Sequence, residues 1–190
     1  MRIPRELTIT MNLANWITIF RILLVPCFVI LLLYGKEFAA LGVFCVAGIT
    51  DGIDGYIARS MGLKTKLGSY LDPLADKLLL VSSFVVFSIK YPKIVPVWLT
   101  ILVLSRDLLI IIGVVILQFV IASPKIEPSF LGKTTTAVQI LMIFFSLLLG
   151  TINADALPVV IGFFIGLTAL FTIVSGLQYV LIGTRQINGG

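Results

Sequence analysis

Four aspartates interrupt an otherwise strongly apolar part of this chain: Asp51, Asp54, Asp72 and Asp76. They are four of the nine acidic residues in the whole sequence. A carboxylate at the centre of a membrane helix costs about 3 kcal/mol on insertion scales, so acids in such segments are rare and mostly functional. The fold must therefore turn these segments away from lipid, and the cluster indicates a functional site.

Composition predicts an all-α integral membrane protein. Hydrophobic residues account for 59% of the 190 residues, and the mean hydropathy is +1.14, well above the range of soluble proteins. Because a membrane helix needs about 17–25 mainly apolar residues, we predict six spans, at 14–34, 38–59, 67–89, 95–121, 134–151 and 156–183. The short connections predict one bundled domain over residues 1–190. Residues 1–12 carry several charges and predict a short interfacial segment.

The basic residues predict the orientation of the six spans. The side with both termini and the even-numbered connections would carry Arg2, Arg5, Arg59, Lys64, Lys66, Lys125, Lys133 and Arg185. The other side would carry only Lys36, Lys90 and Lys93. The positive-inside rule places the first side, with the aspartate cluster, toward the cytoplasm. Because we find no obvious transit peptide, we expect a bacterial inner membrane. No basic helix outside the spans indicates nucleic-acid binding.

The spacing of the aspartates predicts a divalent metal site. Asp51 and Asp54 are three residues apart, so on a helix they share one face, and Asp72 and Asp76, four residues apart, do the same. Converging carboxylates cannot all stay ionised unless cations neutralise them. Oxygen ligands favour Mg²⁺ or Mn²⁺, and four carboxylates are enough for two ions. The chain contains no histidine, which excludes Ser-His-Asp chemistry and the usual zinc and haem sites.

Basic residues inside the spans predict an anionic ligand beside the metals. Diphosphate is the expected group, because metal ions clamp its oxygens. The candidate cations are Arg21, on a polar stripe with Asn15 and Thr18, Arg106 in the fourth span, and Lys133 near the start of the fifth. Arg21 has an alternative role, in which it only pairs with an aspartate and holds helices together. Asp107 is interpreted as a local charge partner of Arg106. A water-filled cavity open to the cytoplasm would hold these groups.

The aspartates belong to a longer pattern that resembles the signature of the CDP-alcohol phosphatidyltransferase family. The matching residues are Asp51-x-x-Asp54-Gly55-x-x-Ala58-Arg59, an eight-residue gap, and Gly68-x-x-x-Asp72-x-x-x-Asp76. Further segments are similar to bacterial and mitochondrial members, among them Asn15-x-x-Thr18-x-x-Arg21, Ser105-Arg106-Asp107 and Gly132-Lys133. Together they cover most of the chain between about residues 12 and 140.

The resemblance implies a six-helix membrane enzyme, usually a homodimer, that uses a CDP-linked lipid and two divalent ions. The metal ligands would be Asp51, Asp54, Asp72 and Asp76, and Asp76 would also act as the general base. The residues that hold the cytidine diphosphate group would be Asp54, Gly55, Ala58, Arg59, Gly68 and Asp72. The acceptor or its phosphate would meet Arg21, Arg106 and Lys133. Cytidine is implied by the resemblance alone.

Two branches of the family are similar to this chain, and they differ in the alcohol acceptor for CDP-diacylglycerol. The branch that uses glycerol 3-phosphate typically carries a second Arg-Glu in the fourth span and a second lysine after Gly-Lys. Here no second arginine follows Arg106 in that span, and Thr135 stands at the second lysine position. The missing cations favour phosphatidylglycerol, the acceptor of the cardiolipin synthase branch, with glycerol 3-phosphate as the alternative. An ion-coupled transporter is a remote alternative, because transporters normally show repeated or broken spans.

Overall fold

The structure is a computed structural model that describes residues 13–60, 66–120, 129–152 and 157–188. Within these helices, the side chains of residues 13–15, 54–60, 66–70, 72, 152, 157–158 and 187–188 lie outside the description. The predicted interfacial segment, residues 1–12, therefore lies outside the described residues. The same holds for residues 61–65, 121–128 and 153–156, which make up most of three predicted connections.

The described residues form six α-helices and no strand, as predicted. The helices are α1 (Leu13–Leu33), α2 (Glu37–Ser60), α3 (Lys66–Lys90), α4 (Val97–Val120), α5 (Phe130–Ile152) and α6 (Leu157–Asn188). Two helix boundaries differ from the sequence prediction by one helical turn or more. The fifth helix begins four residues earlier, because Ser129 caps it: the Ser129 Oγ accepts a hydrogen bond from the Gly132 amide at 3.0 Å. The sixth continues five residues further, because no proline or glycine interrupts its last turn.

Four of the helices are long and apolar enough to cross a membrane. These segments are Trp16–Leu33, Val97–Val120, Phe130–Thr151 and Val159–Gln186. Large apolar side chains stand on their outer surfaces, with Phe119 of α4 exposed over 88% of its area. A surface of this kind is stable in lipid and would aggregate in water, so the four helices indicate a membrane protein. That α2 and α3, which carry the aspartates, also cross the bilayer stays a prediction.

The chain divides into two compact units, Met1–Ser83 and Phe84–Gly190, with the boundary inside α3. In the first unit, α1 packs along α2. Phe28 and Leu32 are buried on α1, opposite a buried stripe of Ala40, Phe44 and Ala47 on α2. The rings of Phe28 and Phe44 lie 6.0 Å apart between centroids. The prediction of a single domain over residues 1–190 stays a prediction.

The turn between α1 and α2 is a Schellman motif. The Gly35 amide donates to the Leu32 carbonyl at 3.1 Å and the Lys36 amide donates to the Leu31 carbonyl at 2.9 Å, the two bonds that define this helix end. Gly35 has a φ of 74°, a left-handed conformation that glycine adopts without the steric cost of a Cβ. The glycine therefore ends α1 and sets how α2 returns along it.

In the second unit, α6 packs against both α4 and α5. The Thr135 hydroxyl donates to the Leu131 carbonyl of its own helix at 2.6 Å and to the Phe171 carbonyl of α6 at 3.1 Å. Further along, the Phe145 and Phe164 rings stack with centroids 4.8 Å apart. Such hydroxyl and ring contacts hold membrane helices together where the hydrophobic effect between them is weak.

We expect Gly35→Ala to lower the stability of the protein by about 1 kcal/mol, because alanine strains the left-handed conformation at that turn. Thermal unfolding in detergent micelles measures the change. Gly42→Ala is the matched control, because a Cβ at Gly42 meets no atom of the described residues within 4 Å and alanine favours a helix interior. A variant at residue 35 that is as stable as the control would contradict this account of the turn.

Candidate active site

One buried arginine joins two of the motif aspartates. The Arg21 Nη1 atom lies 2.7 Å from Asp51 Oδ1 and 2.8 Å from Asp76 Oδ1. We call these three side chains the Arg21 triad. Because Arg21 belongs to α1, Asp51 to α2 and Asp76 to α3, the triad ties three helices together at one point. Convergence of the α2 and α3 aspartates, expected if the two helices lie side by side, is thus present for this pair.

The local sequence of each helix places its triad member on an inward face. On α1, Thr18, Arg21, Phe28 and Leu32 are all buried, so the predicted polar stripe continues the face that packs on α2. Asp51 follows the buried Ala47 by one helical turn, and Asp76 precedes the buried Leu79 and Leu80 by one turn. The same 3.6-residue period that buries the apolar side chains therefore delivers all three charged groups to one place.

The burial of the triad is unequal. The Arg21 side chain is only 1% exposed, whereas those of Asp51 and Asp76 are 45% and 46% exposed. An arginine without water must have its charge balanced by anions, which the two carboxylates provide. Their partial exposure leaves both carboxylates open to a ligand from outside the helices. Arg21 thus fulfils the pairing role foreseen for it, while its contact with a ligand stays a prediction.

The triad fits part of the predicted metal site. Both Oδ1 atoms lie within hydrogen-bonding distance of the same nitrogen, so two half-exposed carboxylates converge with hard oxygen donors, the ligand type that Mg²⁺ and Mn²⁺ prefer. The remaining predicted ligands and CDP-binding residues lie outside the described side chains: Asp54, Gly55, Ala58, Arg59, Gly68 and Asp72. Among the described side chains alone, no group of three or more potential ligands is found. The four-carboxylate site is therefore a proposal.

A second buried arginine organises the other unit. Arg106 on α4 donates from Nη1 to Asp107 Oδ1 at 2.7 Å and from Nη2 to Ser175 Oγ on α6 at 2.7 Å. Its guanidinium carbon lies 5.8 Å from the centroid of the Tyr179 ring, within the range of a cation–π interaction. We call these four residues the Arg106 cluster. The interpretation of Asp107 as a local partner of Arg106 is confirmed.

The start of α5 packs against this cluster. The Ser129 amide donates to the Tyr179 hydroxyl at 3.3 Å. A Cβ at Gly132 would lie 3.0 Å from the Tyr179 hydroxyl and 3.4 Å from Arg106 Nη2, so this glycine allows the close approach. Lys133, the third predicted acceptor cation, follows it with an exposed side chain.

Sequence reasoning missed two members of the Arg106 cluster, Ser175 and Tyr179. They lie four residues apart, on one face of α6. The signal was present in the sequence as polar side chains within the last apolar helix, but it matched no known motif. Only the contact with Arg106 shows their role.

Removing the positive charge of Arg21 should lower the stability of the folded protein. We expect Arg21→Gln to lower stability by about 1–3 kcal/mol, because two charge-assisted hydrogen bonds are lost and two carboxylates remain close together. Thermal unfolding measures this, with Lys36→Gln at an exposed position as the charge-matched control. Adding Asp51→Asn to Arg21→Gln should recover part of the loss. If Arg21→Gln and the control Lys36→Gln were equally stable, the stabilising role of the triad would be refuted.

Gly132→Ala should destabilise the second unit by about 1 kcal/mol through overpacking against Tyr179 and Arg106. In a double-mutant cycle, Tyr179→Phe should relieve part of that cost, because it removes the hydroxyl nearest to the new Cβ. Unfolding midpoints of the four proteins measure the coupling. Strictly additive effects would show that residue 132 is not packed against that hydroxyl.

Comparisons with known proteins agree with the motif. Residues 11–181 match the profile of the family described as CDP-alcohol phosphatidyltransferase. A probable phosphatidylglycerophosphate synthase of Mycobacterium tuberculosis H37Rv is 34% identical over 187 residues, with 94% of this chain and 84% of that protein covered. The CDP-diacylglycerol–glycerol-3-phosphate 3-phosphatidyltransferase of Bacillus subtilis is 33% identical over 186 residues, with 88% and 93% covered.

A relative named for a different product is equally similar. The CMP-forming cardiolipin synthase of Rattus norvegicus is 34% identical over 193 residues, with 93% of this chain and 63% of that protein covered. The chain thus spans less than two thirds of the length of this relative. The chain is thus about equally similar to enzymes of both kinds. The family match over nearly the whole length, together with the shared motif, shows that the chain belongs to the CDP-alcohol phosphatidyltransferase family.

Proposed function

We propose that this chain transfers the phosphatidyl group of CDP-diacylglycerol to phosphatidylglycerol, which yields cardiolipin and CMP. In the step, the acceptor hydroxyl oxygen forms a bond to the β-phosphorus, which carries the diacylglycerol. The bond from that phosphorus to the oxygen of CMP breaks, and CMP leaves with the electron pair. The hydroxyl proton passes to a carboxylate of the enzyme. The ion-coupled transporter is no longer needed as an explanation, because the family is one of transferases.

The observation that carries the proposal is the Arg21 triad. It brings the last aspartate of the motif, Asp76, next to the first, Asp51, with both carboxylates half exposed. Asp76 is proposed as the general base, and Arg21 as the residue that holds its carboxylate in place. A base must lie within hydrogen-bonding reach of the proton that it removes, and the half-exposed Asp76 carboxylate, held by Arg21, supports this role.

The proposed metal ligands are Asp51, Asp54, Asp72 and Asp76, with two Mg²⁺ or Mn²⁺ ions per site. When bound, such ions neutralise the diphosphate oxygens and stabilise the charge that develops on the leaving CMP. Within the chain itself, Asp54, Gly55, Ala58, Arg59, Gly68 and Asp72 are proposed to hold the cytidine diphosphate group, with Arg59 on phosphate.

The choice of phosphatidylglycerol as acceptor is supported by the surroundings of two positions. Thr135, at the place of the second lysine in the glycerol-3-phosphate branch, is buried and bonded to α6, so this position offers no space for a solvated cation. Arg106 is bonded to Asp107 and Ser175, which partly satisfies its charge. A phosphodiester needs fewer cations than the phosphomonoester of glycerol 3-phosphate.

Glycerol 3-phosphate remains the second candidate acceptor. Lys133 is exposed at the start of α5 and is free of the packing that buries Thr135. The names of the Mycobacterium and Bacillus relatives also favour this acceptor. Either acceptor leaves the transfer step and its base unchanged.

The remaining proposals concern the setting of the enzyme. We propose six membrane spans, an active-site cavity open to the cytoplasm, a homodimer, and a bacterial inner membrane as the location. The four apolar helices and the bacterial relatives support a membrane location. The excess of basic residues on one side supports the orientation.

The test is product analysis by mass spectrometry. Purified protein receives CDP-diacylglycerol and Mg²⁺ or Mn²⁺, with phosphatidylglycerol or glycerol 3-phosphate offered separately. We expect cardiolipin and CMP, and a loss of roughly 10²-fold or more in Asp76→Asn, the usual size of a general-base contribution. Glu37→Gln, at the opposite end of α2, is the control. Phosphatidylglycerophosphate as the product would show that glycerol 3-phosphate is the acceptor. Absence of CMP with both acceptors would overturn the proposed function.

A further inference from the structure

The first turn of α5 is held from outside by a tyrosine of α6. The Ser129 amide donates to the Tyr179 hydroxyl at 3.3 Å, and the Ser129 Oγ accepts from the Gly132 amide at 3.0 Å. The Lys133 amide donates to the Ser129 carbonyl at 3.2 Å. We call residues 129–133 the α5 entry turn. Because the first amides of a helix have no partner within the helix and helix ends fray, these contacts determine how firmly the turn is held.

Tyr179 is itself held by a buried charge. Its ring centroid lies 5.8 Å from the guanidinium carbon of Arg106. Arg106 in turn is bonded to Asp107 and Ser175, each at 2.7 Å. Since Arg106 is only 7% exposed, protein groups rather than water set its position. The Tyr179 hydroxyl is therefore a fixed acceptor for the amide that opens the α5 entry turn.

Gly132 allows this contact between α5 and α6. A Cβ at this position would lie 3.0 Å from the Tyr179 hydroxyl and 3.2 Å from the Ser129 Oγ. Both distances are too short for an ordinary packing contact. The tyrosine hydroxyl and the cap of the helix thus meet at the glycine that directly precedes Lys133.

Lys133 carries the charge of the α5 entry turn. Its side chain is exposed, and the apolar segment of α5 begins three residues before it, at Phe130. A lysine close to the end of an apolar helix can reach the depth of the lipid phosphates. Because the ammonium group is carried on a flexible four-carbon stem, the fold can fix only the backbone from which it extends. A loose turn would add to the freedom that the lysine loses when it binds a phosphate.

We propose that Tyr179 is a positioning residue for the acceptor: it fixes the α5 entry turn and thereby the place from which Lys133 reaches the acceptor phosphate. The inference rests on the proposed function, in which Lys133 is one of the cations expected at that phosphate. It extends that function to α6, where the sequence predicted no functional residue. In this role Tyr179 acts through the Ser129 amide and not on the reacting atoms. Both candidate acceptors carry a phosphate, so the inference holds for either.

Tyr179→Phe is the direct test, because it removes the hydroxyl and keeps the ring that lies against Arg106. Tyr34→Phe is the matched control, since Tyr34 is exposed over 80% of its area and belongs to the first unit. With the acceptor that the wild type uses, we expect Tyr179→Phe to raise the acceptor KM about fivefold, the effect of one lost hydrogen bond. The kcat and the KM for CDP-diacylglycerol should stay within about twofold, and Tyr34→Phe should match the wild type.

A double-mutant cycle with Lys133→Gln separates positioning from general support. If Tyr179 acts through Lys133, Tyr179→Phe should change the acceptor KM by less than about twofold in the Lys133→Gln background. Equal effects in both backgrounds would overturn the inference. An acceptor KM that is unchanged in either single variant would also overturn it, as would a raised KM for CDP-diacylglycerol, which would show that residue 179 acts on the donor.

Hydrogen–deuterium exchange provides a readout that needs no activity. In Tyr179→Phe, the amides of the α5 entry turn should exchange about fivefold faster than in the wild type, while those of residues 139–146 should keep their rate. Unchanged exchange in the turn would contradict the inference. Faster exchange along the whole of α5 would contradict it as well, because it would show a general loss of packing. Absence of CMP in the wild type would instead refute the proposed function, and the exchange rates would still show whether Tyr179 holds the turn.

Discussion

The charge pairing of Arg21 is the constraint on which the first unit depends. A guanidinium that is 1% exposed among apolar helices is tolerated only with anions beside it, and the two anions come from two other helices. One nitrogen makes both bonds, so the relative depth of α1, α2 and α3 is fixed at this point. The apolar packing of Phe28 against Phe44 then determines how α1 and α2 run from there.

The second unit uses the same principle with another geometry. Arg106 is paired within its own helix by Asp107 and across helices by Ser175, and α5 begins against this cluster with a capped first turn. In both units, hydrogen bonds from a buried arginine join side chains of different helices and so help to hold the helices together. Residues proposed for chemistry therefore also hold helices together, so we expect their substitution to lower stability as well as activity.

Much of this arrangement could be predicted from the sequence. Four of the helices follow from long runs of apolar residues, α2 and α3 from apolar segments interrupted by the aspartates, and the shared faces of the aspartates from helical spacing. The start of α5 could not be predicted in this way, because Gly132-Lys133 is typical of a loop and only the hydrogen bond to Ser129 shows that the helix has already begun. The partners of Arg106 on α6 could not be predicted either, because a contact between residues 69 positions apart leaves no local pattern in the sequence. For Asp54 and Asp72, the motif alone supports their role.

The Arg21 triad links the proposed metal site to the stability of the fold. Two half-exposed carboxylates from different helices share one guanidinium, so a cation at the proposed site would bind next to oxygens that already hold these helices together. A cation that binds only the folded chain stabilises it by an amount that grows with its concentration, about 2.7 kcal/mol at a hundred times Kd. Folding of the helices around the triad would then be linked to the supply of divalent ions at the membrane. Depletion of those ions would shorten the lifetime of the enzyme as well as slow its turnover.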